Sequence, residues 1–173
     1  LVADIFAHGS HVTTGLLGTH SVYEALRMHG RMYVALTTLN QTSYPSFGYM
    51  TENKWEPATT LWEKWDADSR YADQVDSSRA HIMFGSVSAF FWKHLAGLQP
   101  AAAGWKRAVI APSIERCQGY DAGTPVLESV DASLSTVSGD IHVRWRLGGD
   151  NESERRRRPF ALNVTTPVGA TVV

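Results

Sequence analysis

In the stretch "TTLWEKWD" (59–66), Glu63 follows Trp62 directly and precedes Trp65 by two residues. A carboxylate among indoles suits proton transfer beside a sugar, because indole faces pack against the C–H faces of pyranose rings while the carboxylate moves protons. The same residues equally suit a helix cap, or an ion pair of Glu63 with Lys64 or Arg70. Glu52 and Glu56 are reserve carboxylates in the same loop. Asp66 and Arg79 either orient the pocket or form an exposed ion pair. Trp62 and Trp65 are expected to divide two tasks, one stacking on sugar and the other packing the loop. Trp55 is read as a packing residue.

The elements that must position these groups follow from periodicity. Ser21 and Glu24 have capping-box spacing, Val22 and Leu26 share a face, and Gly30 supplies a left-handed stop. Met32, Leu36 and Leu39 mark a second helix. A third is predicted over 81–97, with Phe84, Val87, Phe91, Leu95 and Leu98 on one stripe and Phe90, Trp92 and His94 on other faces. Between the second and third lies a loop, 42–79, that carries the candidate carboxylates. Loops of such length are commonly functional. After Pro100 the period becomes two: Ile141, Val143, Trp145 and Leu147 alternate with His142, Arg144 and Arg146. "SGD" (138–140) and "PVG" (167–169) are turns, and Phe160, Leu162 and Val164 mark another strand. A helical part therefore precedes a β part, read as a sandwich.

The 173 residues are 43% hydrophobic and 19% charged, with a formal net charge of −1, a globular composition. That balance gives no electrostatic reason to expect nucleic acid or an acidic membrane surface as partner. No apolar run is long enough to span a bilayer. Cys117 is the only cysteine, so an intrachain disulfide is impossible. The histidines of "HGSH" (8–11) with His20 lack a carboxylate or cysteine at ligand spacing, so no metal is expected. "ERRRR" (154–158) reads as a solvated hairpin loop. The chain starts without methionine and stops within an apolar stretch. Both ends read as cut, and an upstream part of the same chain is expected.

Six segments in order resemble the C-terminal portion of the bacterial-type α-L-rhamnosidases, glycoside hydrolase family 78. "HVTTGLLGT" (11–19) is similar to that family's H-[LV]-T-T-G-x-x-G-T, and "TSYPSFGYM" (42–50) to its T-x-Y-P-S-[WF]-G-Y-M. "ATTLWEKWD" (58–66) resembles A-T-T-[LI]-W-E-x-W, and "SRAHIMFGSV" (78–87) resembles S-x-N-H-x-M-F-G-S-V. "LAGLQP" (95–100) with "GWKRAVIAP" (104–112) resembles the join to the C-terminal β domain, and "PVGATV" (167–172) its final strand. The resemblance implies the last helices of an (α/α)6 barrel over 1–99, followed by a truncated antiparallel β-sandwich over 100–173. Two local departures stand out: Ala80 replaces the usual Asn, and "KWEP" (54–57) reads as an insertion.

The implied activity is hydrolysis of terminal α-L-rhamnose from glycosides or polysaccharides with inversion, without a cofactor. Inversion needs two carboxyl groups roughly 6.5–9.5 Å apart, one protonating the leaving oxygen and one activating water. The resemblance puts Glu63 at the general base and makes His81 a sugar-binding histidine, with Trp62 and Trp65 as substrate-binding candidates. The family's general-acid segment lies upstream and is absent here, so the isolated chain is expected to be inactive. The alternative is a non-catalytic sugar-binding or structural fragment. A partial barrel is also expected to expose apolar surface around Phe90 and Trp92.

Overall fold

A computed structural model describes residues 1–70, 77–114, 127–148 and 160–173. Cys117 and the "ERRRR" run (154–158), read as a solvated hairpin loop, lie outside the described residues. Among the described residues the chain forms two compact units, Leu1–Ser88 and Ala89–Ile114 with Leu127–Val173.

The first unit is helical: α1 (Val2–Ala7), α2 (Leu16–Met28), α3 (Met32–Leu39), α4 (Phe47–Glu52) and α5 (Ile82–Gly85). The capping box is not used. The α2 helix begins five residues before Ser21, with Gly15 at its N-cap, and Glu24 pairs instead with Arg27 at 3.2 Å. Thr19 closes that first turn, its hydroxyl donating to the Thr14 and Gly15 carbonyls. The stop is where the residues place it. Gly30 takes φ +62°, and the Arg31 N–H reaches back to the Leu26 carbonyl. A three-residue link then leads into α3, so α2 and α3 form a helical hairpin, and α2 also packs on α5. Val22, Tyr23 and Leu26 of α2 and Met32, Val34 and Ala35 of α3 are buried. Among the described residues of the long loop is one short helix, α4, capped by the Ser46 hydroxyl, which accepts the Tyr49 N–H at 2.9 Å.

The predicted third helix is broken. After α5, Ser86 turns its hydroxyl onto the Met83 carbonyl at 2.5 Å. The chain resumes as α6 (Val87–Phe90), then widens into a π-helical turn, Phe91–Leu95, closed by the Ala96 N–H on the Phe91 carbonyl. The extra residue in that turn rotates the stripe. Phe90 and His94 are buried, whereas Phe91, expected inside, is 40% exposed. Exposed apolar surface falls on Leu17 (72%), Met28 (71%) and Ile82 (82%), not on Phe90 (5%).

In the second unit, β1 (Leu98–Pro100), β2 (Arg107–Ile110) and β6 (Thr171–Val172) form one sheet, and β3 (Ser129–Thr136), β4 (Gly139–Leu147) and β5 (Phe160–Thr165) form another. The second sheet is antiparallel throughout. The first is mixed, because β6 returns beside β2 in parallel, pairing Arg107 with Thr171 and Ala108 with Val172. That differs from the antiparallel expectation. Both sheets contribute to one cluster, Leu98 and Ala108 from one and Ile141 and Val143 from the other, with Trp92 and Val164 packed against it. The alternation read in β4 holds: Ile141, Val143 and Trp145 point inward. Arg144 on the other face donates to Asp131 of β3 at 2.8 Å. Gly97 at φ +78° lets the chain pass Pro112, where a Cβ would lie 2.1 Å from the proline nitrogen. The Trp145 indole N–H donates to the Leu95 carbonyl at 2.7 Å, so the end of the helical run belongs with the strands.

Candidate functional site

Two irregular segments lie side by side where the candidate residues are. The Glu63 N–H donates to the Ser78 carbonyl at 2.9 Å, and the His81 N–H donates to the Leu61 carbonyl at 2.8 Å. A Thr60 hydroxyl bond to the Arg79 carbonyl, 2.6 Å, adds a third tie. Residues 60–63 and 78–81 are thus tied to one another through their backbones, with Glu63 on one segment and His81 on the other. The Ser78 N–H completes the pattern by donating to Glu63 Oε2 at 2.9 Å. Glu63 is partly buried, and its Oε1 has no hydrogen-bond partner among the described residues. A carboxylate held by one oxygen and open at the other is arranged to accept a proton without swinging.

His81 is the N-cap of α5. Its Nδ1 accepts the Met83 N–H at 3.3 Å. An accepting Nδ1 carries no proton, so the neutral ring holds its proton on Nε2 and can donate there to a hydroxyl. The capping role thus leaves Nε2 available as a donor. Where Ala80 departs from the family's Asn, the Ser78 hydroxyl serves the local backbone, accepting from the Ala80 N–H and donating to the Ala80 carbonyl.

The indoles do not divide their tasks. Trp62 (2% exposed) and Trp65 (7%) both belong to a cluster with Met50, Ala67 and Phe84. The Trp65 ring sits 4.2 Å from Phe84 and 5.1 Å from Phe47 between centroids, and its N–H donates to the Thr14 carbonyl at 2.8 Å. At such burial neither ring offers a face to a ligand in this structure; both pack the loop. Trp55, read as a packing residue, is instead 47% exposed, with the Lys54 ammonium 4.4 Å and the Arg70 guanidinium 5.0 Å from its ring.

The other charges sort themselves away from Glu63. Arg70 does not pair with it. Arg70 grips Asp68 through two bonds of 2.8 Å, Nε to Oδ1 and Nη2 to Oδ2. Asp68 is fully buried and also accepts the Tyr49 hydroxyl at 2.5 Å. The Arg70 guanidinium holds the Asp68 carboxyl well below its ordinary range, against burial, which pushes upward, and with further help from Tyr49. Arg79 pairs with Glu56 at 3.2 Å rather than with Asp66, which has no ion-pair partner among the described residues. Glu52 ends α4 in an exposed position.

Sequence reasoning missed Asp68, Tyr49 and Asn53. The Asn53 side chain accepts the Trp55 and Glu56 N–H groups and donates to the carbonyls of Tyr49, Met50 and Glu56, tying off the end of α4. An Asn just after a short helical stretch is an Asx-turn signal, because its side chain can accept the backbone N–H two residues on, as it does here from Trp55. The Asp68–Tyr49 contact joins positions 19 apart, and no local pattern announces it.

Known proteins match this chain along its length. Residues 1–95 match the family described as the bacterial α-L-rhamnosidase 6 hairpin glycosidase domain, and residues 97–173 match the bacterial α-L-rhamnosidase C-terminal domain. An α-L-rhamnosidase of Alteromonas sp. (strain LOR) is 29% identical over 170 residues, 96% of this chain and 16% of that protein. The crystal structure of Streptomyces avermitilis α-L-rhamnosidase complexed with L-rhamnose is 29% identical with a TM-score of 0.73, over 99% of this chain and 15% of that one. Native α-L-rhamnosidase of Aspergillus terreus is 27% identical with a TM-score of 0.76, over 100% of this chain and 18% of that one. This chain thus spans less than a fifth of each of these relatives. With both of its segments matched in order, the chain belongs to the bacterial α-L-rhamnosidase family.

Proposed function

We propose that this chain supplies the general-base half of an inverting α-L-rhamnosidase site. The single observation that carries the reading is the state of Glu63: Oε2 is anchored by the Ser78 N–H at 2.9 Å, while Oε1 has no hydrogen-bond partner among the described residues and His81 lies on the neighbouring segment, tied to Leu61. In the reaction, Oε1 takes a proton from the water that attacks the anomeric carbon, and His81 Nε2–H donates to a rhamnose hydroxyl. Buried Trp62 and Trp65 hold the loop in place. A carboxylic acid from an upstream part of the same polypeptide protonates the departing oxygen. The exposed Leu17, Met28 and Ile82 are apolar surface that further helices of an (α/α)6 barrel would cover. The two sheets sharing one core support a β-sandwich after it.

The test uses the complete enzyme and an aryl α-L-rhamnoside, with the first-formed sugar followed by proton NMR. Inversion releases β-L-rhamnose first, and Glu63→Gln lowers kcat by about 10²–10⁴-fold while rhamnose still binds. Initial release of the α-anomer rules out the single-displacement mechanism. Full activity in Glu63→Gln removes Glu63 from the chemistry. Rhamnose binding without any turnover in the unmutated enzyme favours the sugar-binding alternative.

A further inference from the structure

Arg79 lies between Ser78 and His81, one position after the first and two before the second, and its side chain is held from two directions, by Glu56 and by Trp62. Its Nε and Nη2 meet the Glu56 carboxylate at 3.2 and 3.4 Å. Its guanidinium lies 5.4 Å from the centre of the Trp62 ring, next to Glu63 in sequence. Its Nη1 is shut off from solvent and has no hydrogen-bond partner among the described residues. Both anchors are themselves fixed. Asn53 binds the Glu56 N–H at 2.8 Å and the Glu56 carbonyl at 3.0 Å, and Trp62 is buried in the core cluster.

Stability does not explain the arrangement. The two side chains are 37% and 36% exposed, and ion pairs of that exposure contribute little to folding. A buried guanidinium N–H left without a partner works against stability as well. What the pair does constrain is position. Arg79 follows Ser78 directly in the chain, and the Ser78 N–H is the group that holds Glu63 Oε2, at 2.9 Å.

We propose that the Glu56–Arg79 pair is a positioning device for the general base, setting the place of the Ser78 N–H and through it the reach of Glu63. The inference rests on the catalytic reading of Glu63 above, and its test separates the two. In the complete enzyme, Arg79→Glu and Glu56→Arg are each expected to lower kcat about tenfold, with KM for an aryl α-L-rhamnoside within about twofold of normal, as expected for a misplaced catalytic group. The double exchange, Glu56→Arg with Arg79→Glu, restores kcat to within about threefold because the pair re-forms with its charges reversed. A crystal structure of Glu56→Gln is expected to show Ser78 N more than about 3.5 Å from Glu63 Oε2, beyond hydrogen-bond range. Single variants with normal kcat, a double variant no better than the singles, or an unchanged Ser78–Glu63 distance each overturn the proposal. If the unmutated enzyme hydrolyses no rhamnoside, the catalytic reading fails, while the crystallographic distance still judges the brace.

Discussion

Ser78 donates its backbone N–H to Glu63 Oε2 at 2.9 Å, and Glu63 returns its own N–H to the Ser78 carbonyl at the same distance. The reciprocal pair fixes both the backbone and the carboxylate of the candidate base with groups that cannot be lost by side-chain mutation. What remains variable is the length of the acidic side chain.

Glu63→Asp is therefore expected to be far worse than its chemistry suggests. Shortening the arm by one methylene withdraws the carboxylate from Ser78 by about 1 Å or more, enough to cost on the order of 10²-fold in kcat. Steady-state kinetics on the complete enzyme check this. Near-normal turnover in the aspartate variant would show that the Ser78 anchor is dispensable.

His81 combines a cap with a donor, and two variants separate them. His81→Ala loses the acceptor for the Met83 N–H and is expected to cost about 1 kcal/mol in stability. His81→Asn keeps an acceptor at the N-cap and is expected to melt near the unmutated enzyme. Both variants lose the Nε2 donor and should raise KM about tenfold, the equivalent of one sugar hydrogen bond. Thermal melts and KM measured on the same preparations decide it; a normal KM in the asparagine variant would leave His81 with its cap alone.

The three loop indoles should rank by burial. Trp62→Ala and Trp65→Ala are each expected to cost about 3–5 kcal/mol through the cavity they leave. Trp65→Phe, which deletes chiefly the donor to Thr14, should cost about 1 kcal/mol. Trp55→Ala, at an exposed site, should stay within about 0.5 kcal/mol. Denaturant titration gives the order directly, and a Trp55 variant as damaging as the other two would contradict the exposed position of Trp55.

Asp68 predicts a pH dependence whose sign is set. Its folded-state value lies below its ordinary 3.8, so the folded state holds the ionised form more tightly than the unfolded chain does. The resulting stability is present above about pH 4 and drains away as the pH falls toward the folded value. Asp68→Asn removes it, so the variant should melt lower at pH 7 and the gap should narrow below about pH 4. A gap of constant size from neutral to acidic pH would mean that Asp68 acts by shape and not by charge.

Much of this was legible in the residues. The two-residue period from Ile141 to Leu147 placed a half-buried strand correctly, because alternation in a pleat is a local property that a few side chains report. Gly30 marked a helix end for the same reason, since a left-handed backbone is cheapest without a Cβ. Motif order in the chain was enough for the family, and it put Glu63 and His81 forward as candidates. Only the tertiary structure decided who meets whom. It gave Arg70 to Asp68 rather than Glu63, Arg79 to Glu56 rather than Asp66, and both Trp62 and Trp65 to the core. It also broke the helix after Gly85 and turned Phe91 outward. Those outcomes depend on segments 15 to 66 positions apart closing on one another, such as Ser78 on Glu63 and Ser86 on His20. Charge pairing and burial are settled by that closure, since a side chain's partner is whatever the fold brings within a few ångströms of it.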